Sequence, residues 1–207
     1  MTLETASIGS DYGGWVVAVA PLVKANPVVL SFGLGDDISF DEEMIRRYSA
    51  FVYGFDPTPF SMNWLGSRKL PDRMRVMAIG IAKVDGTQTF VLPDNEDRGN
   101  YSAKSSGGVS VSCDVLRYSS IVATLGLQHV DVLKLDVEGS EYDVIPDILA
   151  SSALPVQLLI EFHHRIHRIG VAETLKAVEA IRRADYLLFA VSPGGKELSF
   201  IRSNCLA

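Results

Sequence analysis

Short apolar runs recur along the chain, most of them separated by segments with helical spacing. Val28–Phe32, Phe51–Phe55, Arg75–Ile81, Val130–Asp136 and Val156–Phe162 read as strands. Near-continuous apolar runs of this kind are those of strands covered on both faces. Ser39–Tyr48 carries its acids early and its arginines late, the order that suits a helix dipole. Asp114–Leu125 and the segment through Tyr142–Ile145 read as helices. Val171–Ala184 reads as an amphipathic helix with Leu175, Val178, Ala180 and Ile181 inward. Asp85-Gly86 signals a hairpin leading into Thr87–Leu92. The end of the chain has another pattern. Tyr186–Val191 and Leu198–Ile201 are separated only by Ser192–Glu197, where no helix fits, so the last strand runs antiparallel. The sum predicts an α/β fold, a mostly parallel sheet with a terminal antiparallel hairpin. It reads as one domain over 1–207, with 1–26 as a lead-in segment and 93–112, rich in Gly, Ser and Asn, as a mobile loop.

Composition narrows the class. At 207 residues, folding buries about 70% of the unfolded surface, so no metal or disulfide staple is required. The net charge of −6 argues against a nucleic-acid partner, which calls for a basic face. Cys113 and Cys205 form no CxxC pair, which excludes a disulfide framework or cysteine zinc site and suits a reducing, cytoplasmic setting. Trp15–Val23 is an apolar run of nine residues containing Pro21, too short to span a bilayer. The first fourteen residues carry no Lys or Arg, so the basic start of a signal peptide is missing.

In a sheet of this type ligands bind beyond the carboxyl ends of the strands. Three constellations lie there. Gly33-Leu34-Gly35-Asp36-Asp37-Ile38 follows a strand and opens a helix, and Asp56 ends the next strand, 23 residues beyond Gly33. Glycines permit a tight turn and close ligand approach, and a carboxylate at Asp56 can accept both hydroxyls of an adenosine ribose. A dinucleotide fingerprint would want glycine at Ile38, and Asp36 and Asp37 would repel its phosphates. S-adenosylmethionine has no phosphate and carries positive charge, so acids in the loop favour it. The plain alternative is an ordinary strand-to-helix turn, with Asp56 capping before Pro57. The second constellation is Leu133–Glu141. Asp136 ends a strand, and Glu138 and Glu141 share a face at a helix start. Helix capping accounts for one such acid more easily than for three. Lys134, inside the apolar run, either snorkels to an edge or pairs with a nearby acid. The third is Glu161-Phe162-His163-His164, followed by Arg165 and His167. Alternation puts Glu161 and His163 on one side and His164 on the other. His163 suits a general base. Alternatively Asp136, Glu161 and His163 gather a hard divalent cation, or the histidines are only a polar strand end.

These segments together resemble the FkbM-like methyltransferases. Ser31–Asp41 is similar to their cofactor loop, Phe55–Pro59 to their second-strand motif, Leu133–Glu141 to their KxDxEGxE segment and Gln157–His163 to their fifth strand. Tyr12-Gly13-Gly14-Trp15 resembles the lead-in of a subgroup. The resemblance covers about 12–203. It implies a class I Rossmann-like fold and S-adenosylmethionine-dependent methylation of a hydroxyl on a small molecule, such as a polyketide, or on a sugar. Carried over by position, Gly33, Gly35 and Asp37 line the methionine part, Asp56 holds the ribose, Phe40 and Asp41 close the loop, and Ile79 and Gly80 approach the adenine. Asp136 then lies nearest the methyl group and orients the acceptor, with His163 as the preferred base and Glu138, Glu141 and Glu161 as further bases or metal ligands. The Asn/Asp-Pro-Pro-aromatic element of many nitrogen methyltransferases is absent after the fourth strand. An NAD(P)-binding oxidoreductase and a non-catalytic binding protein on the same scaffold are the competing readings. No feature of the sequence sets an oligomeric state.

Overall fold

A computed structural model describes residues 3–23, 26–92, 109–165 and 169–205. The elements follow in order: β1 (Thr5–Ile8), β2 (Trp15–Ala18), β3 (Val28–Phe32), α1 (Ser39–Tyr48), β4 (Phe51–Phe55), α2 (Pro59–Gly66) and β5 (Met74–Met77). Then come β6 (Gly80–Ile81), β7 (Gly86–Leu92), β8 (Val109–Leu116), α3 (Tyr118–Thr124), β9 (Val132–Leu135) and α4 (Glu141–Ala150). β10 (Gln157–Glu161), α5 (Val171–Arg183), β11 (Tyr186–Val191) and β12 (Glu197–Arg202) complete the chain. Seven strands form the main sheet in the order β11-β12-β10-β9-β3-β4-β5. β12 is antiparallel to both neighbours, and the other pairs are parallel. The strand order runs outward from β3 in one direction and from β9 in the other, so the topological switch point lies between β3 and β9.

Both faces of this sheet are buried, and alternation divides its side chains. On β3, Leu30 and Phe32 join one core, and Val29 joins the other. On β9, Leu133 and Leu135 belong to the first and Val132 to the second. The first core is closed by α3, α4 and α5, through residues such as Ile121, Val144 and Ile181. The second is closed by α1, α2 and the β1–β2 hairpin, through residues such as Met44, Leu65 and Trp15. Phe32 and Phe55 stack with centroids 4.5 Å apart, fixing β3 to β4 just before their loops begin. Such a stack contributes about 0.5–1.5 kcal/mol beyond its buried area. The lead-in segment is docked by buried Gln157. Its carbonyl accepts from the Ala18 N–H at 2.7 Å, and its amide donates to the Ala18 carbonyl at 3.1 Å.

Four expectations change in the structure. The strand read as Arg75–Ile81 is broken. β5 ends at Met77, and β6 joins a separate three-stranded sheet of order β6-β8-β7. The Asp85-Gly86 turn does not pair its flanking strands with each other, since β7 pairs antiparallel with the distant β8. β8 takes residues 109–112 from the expected loop and 114–116 from the expected helix, which begins only at Tyr118. The alternating polar and apolar residues of Val109–Leu116 are the strand signal, masked because Ser and Asp interrupt it. The rest of that loop, 93–108, lies outside the described residues. On α5, Leu175 and Ala180 face solvent, Leu175 at 64% exposure, and Thr174 and Ile181 face the core. The stripe 174, 177, 178, 181 keeps the helical period, with Val178 and Ile181 inward as expected and Thr174 and Ala177 in place of Leu175 and Ala180. The terminal hairpin matches its expectation.

Candidate functional site

A cleft of about 670 Å³ opens at the carboxyl ends of the parallel strands, across the switch point. At one end stands the glycine loop. Gly33 has φ +78°, and a Cβ there would fall 1.7 Å from the Asp136 carbonyl oxygen. Only glycine lets the β3 and β9 ends approach this closely. Gly35 is also left-handed, at φ +55°. Asp56 holds the loop from below. One of its oxygens accepts from the N–H groups of Leu34 and Gly35, both at 3.1 Å. The other accepts from the Thr58 N–H at 2.9 Å and the Thr58 hydroxyl at 2.6 Å. A carboxylate has about four acceptor positions, and the protein itself engages all of them. Asp56 lines the cleft, as expected, and through these four bonds it also braces the loop and the start of α2.

Asp37 is braced in the same way. It accepts from the Ser39 N–H at 2.7 Å and from the Ser10 hydroxyl at 2.6 Å. Burial raises its pKa, but these bonds outweigh burial and lower it. The Ser10 N–H donates to the Ser39 hydroxyl at 2.8 Å, and the Gly9 N–H donates to Glu43. The lead-in loop is thereby stitched to α1 and forms a wall of the cleft through Asp11–Val16. Gly80 lines the far side, wedged among Pro57, Phe90 and Val115. Ile79 packs against the main core instead. Phe40 and Asp41 are each 1% exposed and lie beneath the loop, outside the cleft lining. Of the expected cofactor residues, then, Gly33, Gly35, Asp37, Asp56 and Gly80 border the cleft, and Phe40, Asp41 and Ile79 support it.

Lys134 resolves the oddity of a cation inside a strand. It is buried, and its ammonium donates to the Gly33 carbonyl at 2.8 Å. It makes no ion pair among the described residues, and it ties β9 to the glycine loop. Neither oxygen of Asp41 has a hydrogen-bond partner among the described residues. Burial pushes Asp41 up to about 6, with Lys134 opposing.

The other end of the cleft is acidic. Glu141 is fully buried and accounted for: it accepts from the Gly139 N–H at 2.9 Å and the His163 N–H at 2.7 Å. These bonds tie the turn before α4 to the β10 exit, and α4 itself has no side-chain cap. Asp136, Glu138 and Glu161 line the cleft, and His163 lies behind them. His163 Nε2 stands 3.7 Å from Asp136, 3.5 Å from Glu138 and 3.7 Å from Glu161. Its Nδ1 lies 3.3 Å from Glu141 but is not aligned for a hydrogen bond. Burial alone would lower the His163 pKa. Glu141, Glu138 and Asp136 outweigh burial and hold it up at about 9. Asp136 is pushed up to about 7 by burial, with Glu161 and Glu138 adding and Lys134 and His163 opposing. Glu138 is raised too, by burial first and then by Glu161 and Glu141. The preferred base of the sequence reading is therefore an imidazolium at neutral pH, walled from the cleft by carboxylates. Glu138 has φ +49°, a left-handed conformation costly for a non-glycine residue.

Lys196 is a site residue that the sequence reading missed. It donates to Glu161 at 2.8 Å from the β11–β12 turn, and that turn (Ser192, Pro193, Gly194) closes the acidic end. The signal is present in the sequence. A strand followed by an antiparallel return strand beside β10 puts their connecting turn at the carboxyl end of β10. His164 is not among the cleft-lining residues; its Nδ1 is buried and has no hydrogen bond among the described residues, and His167 lies outside them. No helix among the described residues is long and apolar enough to cross a membrane.

The chain is 26% identical over 145 residues to the 2-O-methyltransferase NoeI of Sinorhizobium fredii, an alignment covering 61% of this chain and 59% of that relative. The chain thus spans about three-fifths of the length of the curated relative it matches. Its fold is similar to that of the Methanococcus jannaschii fibrillarin pre-rRNA processing protein, with a TM-score of 0.52 at 10% identity, covering 96% of this chain and 83% of that one. The Aeropyrum pernix fibrillarin, solved with bound S-adenosyl-L-methionine, gives a TM-score of 0.47 at 11% identity, covering 95% and 81%. The fold is the class I methyltransferase fold. Residues 2–188 match the methyltransferase FkbM domain, and the chain belongs to that family.

Proposed function

We propose that the protein transfers the methyl group of S-adenosylmethionine to a hydroxyl of a small molecule or sugar. The observation that carries this reading is the single cleft that joins a glycine loop at one end to carboxylates at the other, across the switch point. The loop end takes the cofactor. Asp36 and Asp37 at the helix entrance disfavour a phosphate-bearing cofactor and suit the cationic one. The acidic end takes the acceptor. NoeI bears the name of a 2-O-methyltransferase, which supports oxygen as the nucleophile.

In the reaction an oxygen lone pair of the acceptor attacks the methyl carbon, and the carbon–sulfur bond breaks with its electron pair passing to sulfur. The hydroxyl proton leaves to the carboxylates Asp136 and Glu138, which face the cleft. The products are the methyl ether, S-adenosylhomocysteine and a proton. Alignment of oxygen, carbon and sulfur supplies several kcal/mol of the barrier, and a positioned base contributes about 10²–10⁴-fold. His163, behind the acids, positions them and balances their charge.

The test is calorimetric titration with S-adenosylmethionine and, separately, NADH, followed by transfer of radiolabelled methyl to hydroxylated sugars, polyketides and RNA. Micromolar binding of S-adenosylmethionine alone, with label in a sugar or polyketide, is the expected result. A folded protein that binds no S-adenosylmethionine sinks the proposal. Label entering RNA alone overturns the acceptor assignment.

A further inference from the structure

We infer that Asp136, Glu161 and His163 form a binding site for a hard divalent cation of the Mg²⁺/Mn²⁺ class. This deepens the proposed reaction and rests on the acidic end of the cleft being its acceptor end.

The donor atoms of these three residues all lie within 4.8 Å of one another. His163 Nε2 is 3.7 Å from the nearest oxygen of each of the two carboxylates. Two donors about 2.1 Å from an octahedral cation stand about 3.0 Å apart when adjacent and about 4.2 Å apart when opposite. Nε2 can stand opposite only one of the two oxygens, so at least one separation must close from 3.7 Å by about 0.7 Å, a side-chain adjustment, to complete the shell.

A second observation separates this nest from an ordinary acidic cluster. The His163 side chain is 9% exposed, and its Nδ1 has no hydrogen bond. Its Nε2 is aimed into the carboxylates at distances longer than a hydrogen bond. The buried imidazole thus aims Nε2 at the centre of the nest, between the oxygens of Asp136 and Glu161. With Nε2 on a cation, the remaining ring proton sits on Nδ1, which faces Glu141 at 3.3 Å. An imidazole on a metal with its other nitrogen turned to a carboxylate is the usual supporting arrangement. Two carboxylates and one imidazole suit Mn²⁺ or Mg²⁺, and the nitrogen tilts the choice towards Mn²⁺.

Asp136 and Glu161 both border the cleft, so the remaining coordination positions open to the acceptor. A hydroxyl bound there has its pKa lowered by the cation, and its proton passes to Glu138, the acid left outside the shell. Lys196 occupies Glu161 at 2.8 Å and competes with the cation for it.

The test uses the full chain freed of metal with EDTA and desalted. MnCl₂ is titrated in, and free Mn²⁺ is followed by electron paramagnetic resonance. Saturable binding of one ion per chain is expected, displaced by excess MgCl₂. Glu161→Gln and Asp136→Asn should each weaken it about 10–100-fold, and Lys196→Ala should tighten it severalfold. Thermal melts confirm that each variant folds, and S-adenosylmethionine affinity is measured beside each titration. Absence of saturable Mn²⁺ binding, or binding that folded Glu161→Gln and Asp136→Asn leave unchanged, overturns the site. A protein that binds S-adenosylmethionine and no Mn²⁺ loses this inference and keeps the proposed function. A protein that binds Mn²⁺ through these residues and no S-adenosylmethionine keeps the site and loses the function.

Discussion

The two ends of the cleft are built from similar residues and treat them differently. At the loop end Asp56 and Asp37 meet N–H and hydroxyl donors at 2.6–3.1 Å, and Lys134 ties the loop to β9. At the other end Asp136, Glu138 and Glu161 crowd one imidazole at 3.5–3.7 Å, with Lys196 as the one ammonium in contact among the described residues. The loop end is finished without a ligand: its charges fix a backbone shape. The acidic end gathers three carboxylates around one imidazole and one ammonium, mostly at separations longer than a hydrogen bond. Preorganisation and concentrated charge are the two things a transfer site requires, and here a few ångströms of backbone at Gly33 and Asp136 divide them.

The contrast breaks most severely at that dividing point. Gly33→Ala would put a methyl against the Asp136 carbonyl at a left-handed φ. The conformational penalty of about 1–2 kcal/mol and the overpacking cost of about 1–3 kcal/mol together predict a loss of about 2–5 kcal/mol in urea unfolding. S-adenosylmethionine binding should vanish with it. Retained stability would mean that the two loops are free to separate.

Asp41 sharpens the comparison by titration. Its pKa is raised from the usual carboxylate value to about 6 by burial, so the folded state holds a proton that the unfolded chain releases nearer pH 4. Asp41 therefore contributes stability at low pH that is lost as pH rises from about 4 to about 6. A rise of that size corresponds to about 3 kcal/mol. Asp41→Asn should be more stable than the parent at pH 7 by up to that amount and equal to it near pH 3.5, measured by chemical unfolding across pH. Parallel stability curves would show that Asp41 is solvated or paired.

The sequence revealed the parallel sheet, the return hairpin and the positions of both cleft ends, because apolar runs and glycine–acid turns are local signals. It revealed less wherever distant partners decide. Asp56 reads as a ribose ligand when only its strand end is visible, and also as a loop brace once Leu34, Gly35 and Thr58 are folded around it. His163 reads as a base when its four acidic neighbours are scattered over Asp136–Glu161 in sequence. The break after Met77 and the capture of 109–112 by β8 both depend on pairing across many residues, which no local period encodes. Phe40 and Asp41 lie within the motif but are buried, since α1 turns the face that carries Phe40, Asp41 and Met44 inward, with Phe40 and Met44 in one cluster with Val29.

The brace assignment has its own test. In Asp56→Asn one oxygen becomes an amide nitrogen facing N–H or hydroxyl donors. A buried donor left without a partner costs about 1–3 kcal/mol. The expected result is a stability loss in that range, with cofactor affinity falling in step with loop order as read by amide hydrogen exchange at Leu34 and Gly35. Affinity lost with full stability and unchanged exchange would return Asp56 to the ribose.

The smallest effect should have the opposite sign. Glu138 is held at φ +49° with its carboxylate beside those of Asp136 and Glu161. Glycine at that position removes the left-handed penalty, about 1 kcal/mol, but it gives up the carboxylate's contact with His163 at 3.5 Å and frees the unfolded chain, and both take back part of the gain. Glu138→Gly should therefore be more stable than the parent by up to about 1 kcal/mol, in the absence of ligands, and should lose methyl transfer. The loop end offers no such exchange, since the substitutions at Gly33 and Asp56 both remove stability. A Glu138→Gly protein less stable than the parent would mean that the acidic end is braced internally as the glycine loop is. The distinction between a finished end and an end awaiting its ligand would then fall.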